Sequence, residues 1–310
     1  MDDSAAPLRP YRGRFAPTPS GPLHAGSLMA ALASWLCARS VGGTWRLRMD
    51  DLDAQRCSSA HAATILRQLE AHGLTWDGPV YYESDHRPVY EEALDALTQI
   101  GRTYACDCTR ARLRRTSRAG PDGPVYDRRC LTRQHTVSVP AALRLDAGDG
   151  TMTIVDRRQG LLSRRIAQDI GDFVVRRADG IPGYHLACVV DEAQLGITEV
   201  VRGADLLGAA FCQRLLAQVL GLPAPVTCLH VPLVLDIRGA KLSKQNHAVP
   251  LDAHRPGTNL CTALQRLGQR LPVGLHGESP DVVLAWAVRH WCVEAVPIAP
   301  QSIAAATHAL

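Results

Sequence analysis

Arg12-Gly13-Arg14-Phe15-Ala16-Pro17-Thr18-Pro19-Ser20-Gly21-Pro22-Leu23-His24-Ala25-Gly26 reads as the end of a short strand, cut off by a turn and leading into a helix. Proline and glycine at four of the six positions 17–22 stop the strand. From Gly26 to Arg39 the chain is rich in Ala and Leu at helical spacing. Thr44-Trp45-Arg46-Leu47-Arg48-Met49 alternates as a second strand and runs into the acidic Asp50-Asp51-Leu52-Asp53. A second helix is expected over about Ser59–His72, with Ser58 or Ser59 as its cap. Strand, helix, strand, helix predicts an α/β fold with a Rossmann-like, doubly wound parallel sheet.

Residues 102–183 break that rhythm. Cysteine, arginine and turn residues come first, followed by short β-like pieces such as Met152-Thr153-Ile154-Val155. They read as an insertion into the sheet domain. A regular α/β pattern resumes at Leu186–Asp191, continues in a long helix at about Ala209–Leu220, and reaches a strand at His230–Leu235. From about Leu251 the chain reads as mostly helical. The expected organisation is therefore a nucleotide-binding domain in two halves, 1–101 and 184–240, around an insertion at 102–183, with a lysine-bearing loop and helical region at 241–310.

Composition narrows the classes. Of 310 residues, 46% are hydrophobic and 21% charged, which suits a soluble globular chain with an ample core. A formal charge of +4 does not by itself imply nucleic-acid binding. Residues 102–133, however, hold Arg102, Arg110, Arg112, Arg114, Arg115, Arg118, Arg128, Arg129 and Arg133, a local field suited to a phosphate backbone. Ten scattered cysteines do not form a disulfide framework, and Met1-Asp2-Asp3-Ser4 starts no secretory signal. A reducing, cytoplasmic setting is expected. No apolar run is long enough to cross a bilayer.

Among 34 Lys and Arg residues, only Lys241 and Lys244 are lysine, and both sit in Lys241-Leu242-Ser243-Lys244. An ammonium is a compact charge on a flexible stem, able to follow a moving phosphate as a rigid guanidinium cannot. At the other end of the chain, His24 lies just ahead of a helix N-terminus, where backbone amides gather anions, and Gly26 lets a nucleotide approach the backbone. His24, Lys241 and Lys244 are thus candidates for stabilising phosphorus chemistry, with His24, Gly26 and Lys244 as the nucleotide-binding set.

On these residues the sequence resembles the class I aminoacyl-tRNA synthetases, whose signatures are of His-x-Gly-His and Lys-Met-Ser-Lys-Ser type. Ser27 replaces the second His and Gln245 the final Ser. Arg14-Phe15-Ala16-Pro17-Thr18-Pro19-Ser20-Gly21 narrows the resemblance to the glutamyl and glutaminyl branch. It implies activation of L-glutamate by ATP with Mg2+. Glutamate carries two carboxylates and an ammonium, so a selective pocket wants two guanidiniums and an acid. Arg14, Arg202 and Asp50 meet that demand, and the resemblance adds Thr18 and Tyr184. Asp50 is one methylene shorter than the usual Glu, and Cys188 stands where full-length glutamyl enzymes tend to have Asn.

Cys106, Cys108 and Cys130 suggest a Zn2+ site. From spacing alone, His135 is the obvious fourth ligand, whereas resemblance to a smaller branch of the family implies Tyr126. About 65 residues follow Lys244, fewer than an anticodon-reading module needs. The resemblance to this short branch implies transfer of glutamate to queuosine in the anticodon loop of tRNA(Asp); a monomer is expected. The alternatives are a truncated glutamyl-tRNA synthetase charging the 3′ end of tRNA(Glu), a nucleotidyltransferase, and a non-catalytic, zinc-stabilised tRNA-binding protein.

Overall fold

The computed structural model describes residues 10–132, 140–235 and 250–302. The opening stretch forms β1 (Arg12–Phe15) and, after the proline-rich turn, α1 (Ala25–Arg39). Then come β2 (Thr44–Met49), α2 (Ser59–Ala71), β3 (Tyr81–Tyr82) and α3 (Arg87–Gln99). Ser58 caps α2, its hydroxyl accepting from the His61 amide. β2 pairs in parallel with β1 on one side and β3 on the other.

The segment expected as an insertion divides in two. β4 (Thr103–Cys106), β7 (Ala142–Leu145) and β10 (Val174–Arg176) make a small antiparallel sheet. Attached to it are α4 (Arg110–Thr116), the hairpin of β5 (Arg118–Gly120) and β6 (Gly123–Val125), and α5 (Arg129–Thr132). The other part, β8 (Thr151–Asp156) and β9 (Gly160–Arg165), is a hairpin that joins the main sheet. The strict in-out alternation of Met152, Ile154 and Asp156 gives β8 a buried face, and the sheet is where that face is covered.

The main sheet continues with α6 (Tyr184–Gln194), β11 (Glu199–Gly203), α7 (Leu207–Leu220) and β12 (Thr227–Val231). The apolar run Leu186–Val190 is thus the buried side of a helix. β11 lies beside β1, joined where the Thr198 amide donates to the Arg12 carbonyl at 2.9 Å and the Arg12 amide to Thr198 Oγ1 at 2.9 Å. The layer therefore runs β3-β2-β1, then β11-β12-β8-β9. Within the two groups, β1–β2, β2–β3, β11–β12 and β12–β8 pair in parallel and β8–β9 is antiparallel. Pro232, which has no amide proton to donate, separates β12 from the short β13 (Val234–Leu235). After α8 (Pro256–Arg266) and α9 (Pro280–His290), β14 (Gln301–Ser302) pairs with β13.

Two cores cover the two faces of this sheet. One packs α1, α2, α8 and α9 around Phe15, Trp45, Leu47 and Val201, and the other packs α3, α6 and α7 around Met152, Ile154 and Val200. Arg177 ties the small sheet to the acidic loop after β2, donating to Asp53 at 2.7 Å. Among the described residues, no helix is long and apolar enough to cross a membrane.

The burial pattern ranks two substitutions. Leu32→Ala, at a fully buried position, should cost about 2–5 kcal/mol. Ser58→Ala should cost about 1 kcal/mol, the worth of a cap. Urea unfolding midpoints measured side by side check the order.

Candidate active site

The carboxyl ends of β1, β2 and β11 point to one edge of the sheet, the edge where ligands bind in doubly wound folds. His24 is the N-cap of α1: its Nδ1 accepts from the Gly26 and Ser27 amides at 3.2 and 3.3 Å. With Nδ1 accepting, the ring's proton sits on Nε2, which makes that atom a donor. A Cβ at Gly26 would lie 3.2 Å from the imidazole, a tight contact that the ring would have to ease by a few tenths of an ångström. Lys241 and Lys244 lie outside the described residues. The residues bracketing them are at this place: Pro250 bridges to His24, the Leu251 amide donates to the Leu23 carbonyl at 2.9 Å, and Val234 packs beside Gly26.

Arg14 is buried at the end of β1 and ion-pairs with Glu192 of α6 at 2.9 Å, while its Nη1 donates to the Val201 carbonyl. Asp50 follows β2 and accepts from Arg48 Nε at 2.7 Å and Nη2 at 3.1 Å. The Asp50 amide donates to the Pro17 carbonyl and the Ser58 amide to the Pro19 carbonyl, so the turn carrying Thr18 lies along the loop that follows Asp50. Tyr184 opens α6. Its phenol titrates above the usual tyrosine range, through desolvation first and then the charges of Cys188 and Asp50, with Arg202 and Arg14 opposing. The hydroxyl therefore sits within the field of all four groups. Gly183 before it admits no side chain, because a Cβ would lie 2.7 Å from the Val174 carbonyl of β10.

Arg202, on β11, is 5% exposed. It donates to His230 Nε2 at 3.2 Å and Gln213 Oε1 at 2.7 Å, and among the described residues it makes no ion pair. That separates it from Arg14 and from Arg48, which faces Asp50, Glu83 and Asp191.

The Arg48 cluster escapes a reading of the sequence. Nη1 of Arg48 lies 3.2 Å from Asp191 Oδ2, an ion pair too poorly aligned to count as a hydrogen bond. Asp191 Oδ1 accepts from Tyr81 and Tyr90 at 2.9 and 2.7 Å, and Cys188 Sγ takes a contact from Arg48 Nη2 at 3.2 Å. Three carboxylates face one guanidinium, and burial followed by the Asp50 charge pushes Glu83 up to about 9. The one available signal was Asp191-Glu192 at the end of an otherwise apolar run, since buried acids need buried partners.

A second constellation lies in the small sheet. Cys106 and Cys108 sulfurs lie 3.5 and 3.4 Å from Tyr126 Oη, and Cys108 Sγ is 3.5 Å from Cys130 Sγ. The three sulfurs all lie within 4.8 Å of one another, a grouping that with Tyr126 Oη offers the four ligands tetrahedral zinc takes. Burial opposes ionisation of Cys106, yet the nearby Arg144 and Tyr126 side chains outweigh it and bring its pKa below the usual thiol value. Arg144 also stacks over the Tyr126 ring at 4.0 Å. His135 lies outside the described residues. Of the basic field around this site, Arg112 and Arg128 are consumed in ion pairs, whereas Arg110, Arg114 and Arg115 on α4 are exposed.

Residues 11–268 match the family of class I tRNA synthetases (E and Q), catalytic domain, and the chain belongs to that family. Within it, the branch is that of the Glutamyl-Q tRNA(Asp) synthetases. The relative from Methylococcus capsulatus is 46% identical over 95% of this chain and 96% of its own length. That from Thiobacillus denitrificans is 46% identical over 93% and 95%. A solved glutamate tRNA ligase from Elizabethkingia meningosepticum, in complex with its amino acid, superposes with a TM-score of 0.73 at 25% identity, covering 94% of this chain and 66% of that one.

Glu83 holds its proton in the folded chain up to about pH 9 but in the unfolded chain only to about 4.5. Its contribution to stability is therefore full below about 4.5 and is lost as pH rises towards 9. Glu83→Gln should flatten the fall of Tm between pH 5 and 9 relative to the unaltered chain, measured by scanning calorimetry.

Proposed function

We propose that this chain activates L-glutamate with ATP and transfers it to queuosine in the anticodon loop of tRNA(Asp). The α-carboxylate of glutamate attacks the α-phosphorus of ATP, pyrophosphate leaves, and glutamyl-adenylate forms. A hydroxyl of queuosine's cyclopentene ring then attacks the activated carbonyl, AMP leaves, and an ester results. No protein nucleophile is needed, because the mixed anhydride is already activated.

The roles follow from the sequence motifs and the geometry together. His24, Lys241 and Lys244 neutralise the charge developing at phosphorus, with Mg2+ accompanying ATP and Gly26 admitting the nucleotide. Asp50 takes the substrate ammonium, Arg14 and Arg202 its carboxylates, and Thr18 and Tyr184 complete the pocket. The observation that carries this reading is Arg202, a buried guanidinium whose described partners are all neutral. A cation so placed is short of an anion, and a carboxylate substrate supplies one. The exposed α4 arginines suit the RNA backbone.

Cys106, Cys108, Cys130 and Tyr126 would hold Zn2+, which would brace the small sheet that presents α4. One zinc per chain by elemental analysis, and a lower Tm after chelation, are the expected results. A metal-free chain of unchanged Tm overturns that assignment.

The activity is checked with labelled glutamate, ATP and tRNA(Asp) that contains or lacks queuosine. Label should appear only on the queuosine-bearing tRNA and should map to the anticodon loop. Label at the 3′ terminus overturns the reading. Arg202→Ala should raise KM for glutamate roughly 30-fold, corresponding to about 2 kcal/mol for a hydrogen bond to a charged group.

A further inference from the structure

Asp156, His230 and Arg202 form a chain of contacts that no sequence motif announces. Asp156 ends β8, and His230 and Arg202 face each other across the β12–β11 register. All three are buried, at 1%, 2% and 5% exposure. Asp156 Oδ1 accepts the Arg158 and Gln159 amides at 2.9 Å each. Its Oδ2 accepts the His230 amide at 3.0 Å and faces His230 Nδ1 at 2.8 Å.

An ionised carboxylate can only accept, so the proton in that last contact is on Nδ1. Nε2 then carries a lone pair, and Arg202 Nε donates to it at 3.2 Å. Gln213 takes the Nη1 proton at 2.7 Å. Burial lowers the His230 pKa, in keeping with a neutral ring. Cys228 completes a trio that resembles a cation site with Asp156 and His230. The Arg202 guanidinium against Nε2, and two N–H groups on Asp156 Oδ2, oppose a cation there.

We infer that His230 and Asp156 are positioning residues: they lock the imidazole in its Nδ1–H tautomer, and that tautomer fixes the orientation in which Arg202 receives the substrate carboxylate. The inference rests on the glutamate-activating reading for its substrate, but the tautomer is a property of the unliganded protein. The device explains how a guanidinium can be buried and oriented without a resident acid that would compete with substrate. A carboxylate in place of His230 would hold Arg202 more tightly and repel glutamate. A neutral acceptor, kept neutral by burial and by the Arg202 charge against the opposing pull of Asp156, holds Arg202 while leaving its charge uncompensated.

Two measurements test it. Nitrogen-15 NMR of histidine-labelled full chain should show a His230 with Nδ1 protonated and Nε2 bare; a protonated Nε2 overturns the inference, and this needs no variant to fold. In glutamate-dependent pyrophosphate exchange, His230→Ala should raise KM for glutamate about 10-fold or more, the effect of roughly 1.4 kcal/mol, with KM for ATP changed less than twofold. His230→Gln, whose amide oxygen can accept from Arg202, should recover most of the loss. Asp156→Asn keeps the volume but sets an amide donor towards Nδ1, which forces the proton onto Nε2 and against Arg202; it should match His230→Ala. Equal rises in both KM values, or no rescue by glutamine, overturn the positioning role. Absence of glutamate-dependent exchange in the unaltered chain would instead overturn the proposed activity and leave the tautomer result standing.

Discussion

Arg14 and Glu192 meet in the interior at the seam where the two halves of the sheet abut. A buried guanidinium costs several kcal/mol unless paired and hydrogen-bonded. The Glu192 carboxylate and the Val201 carbonyl meet that demand from α6 and β11. The pair therefore does more than neutralise. It requires β1, α6 and β11 to arrive together, and this edge of the sheet exists only when they do.

Three buried arginines at this edge are handled in three ways. Arg14 has one acid, Arg48 has three, and Arg202 has an imidazole and an amide. Glu83 keeps its proton up to about pH 9, which leaves Asp50 and Asp191 as the acids on the Arg48 side that favour an ammonium nearby, while the deficit at Arg202 favours a carboxylate. The pocket thus has opposite electrostatic poles before any ligand arrives. Cys188, against Arg48 rather than reaching out with an amide, leaves this polarity unmodified.

How far the sequence discloses this depends on how local each signal is. The strand–turn–helix opening, the Ser58 cap and the β12 strand rest on neighbouring residues, and the structure contains them with small shifts. Pro232 cut the expected His230–Leu235 strand in two, as its missing amide proton dictates. The β8–β9 hairpin sits in the stretch that reads as an insertion, yet it pairs with β12, more than 70 residues away along the chain. No local pattern encodes that pairing. The same holds at the site. Arg14, Asp50, Tyr184 and Arg202 stand in recognisable motifs, but Glu83, Asp191, Asp156 and His230 act only through partners brought from distant segments. The thiols were visible from spacing, whereas the approach of Tyr126 Oη to the Cys106 and Cys108 sulfurs and to the Cys130 amide depends on how the β5–β6 hairpin turns back.

Pro250 lies against His24 and Val234 of β13, on which β14 is laid, lies beside Gly26, so two described segments meet the start of the first helix. The N-terminus of the first helix is therefore a common support for segments drawn from far along the chain, and loosening it would release both together.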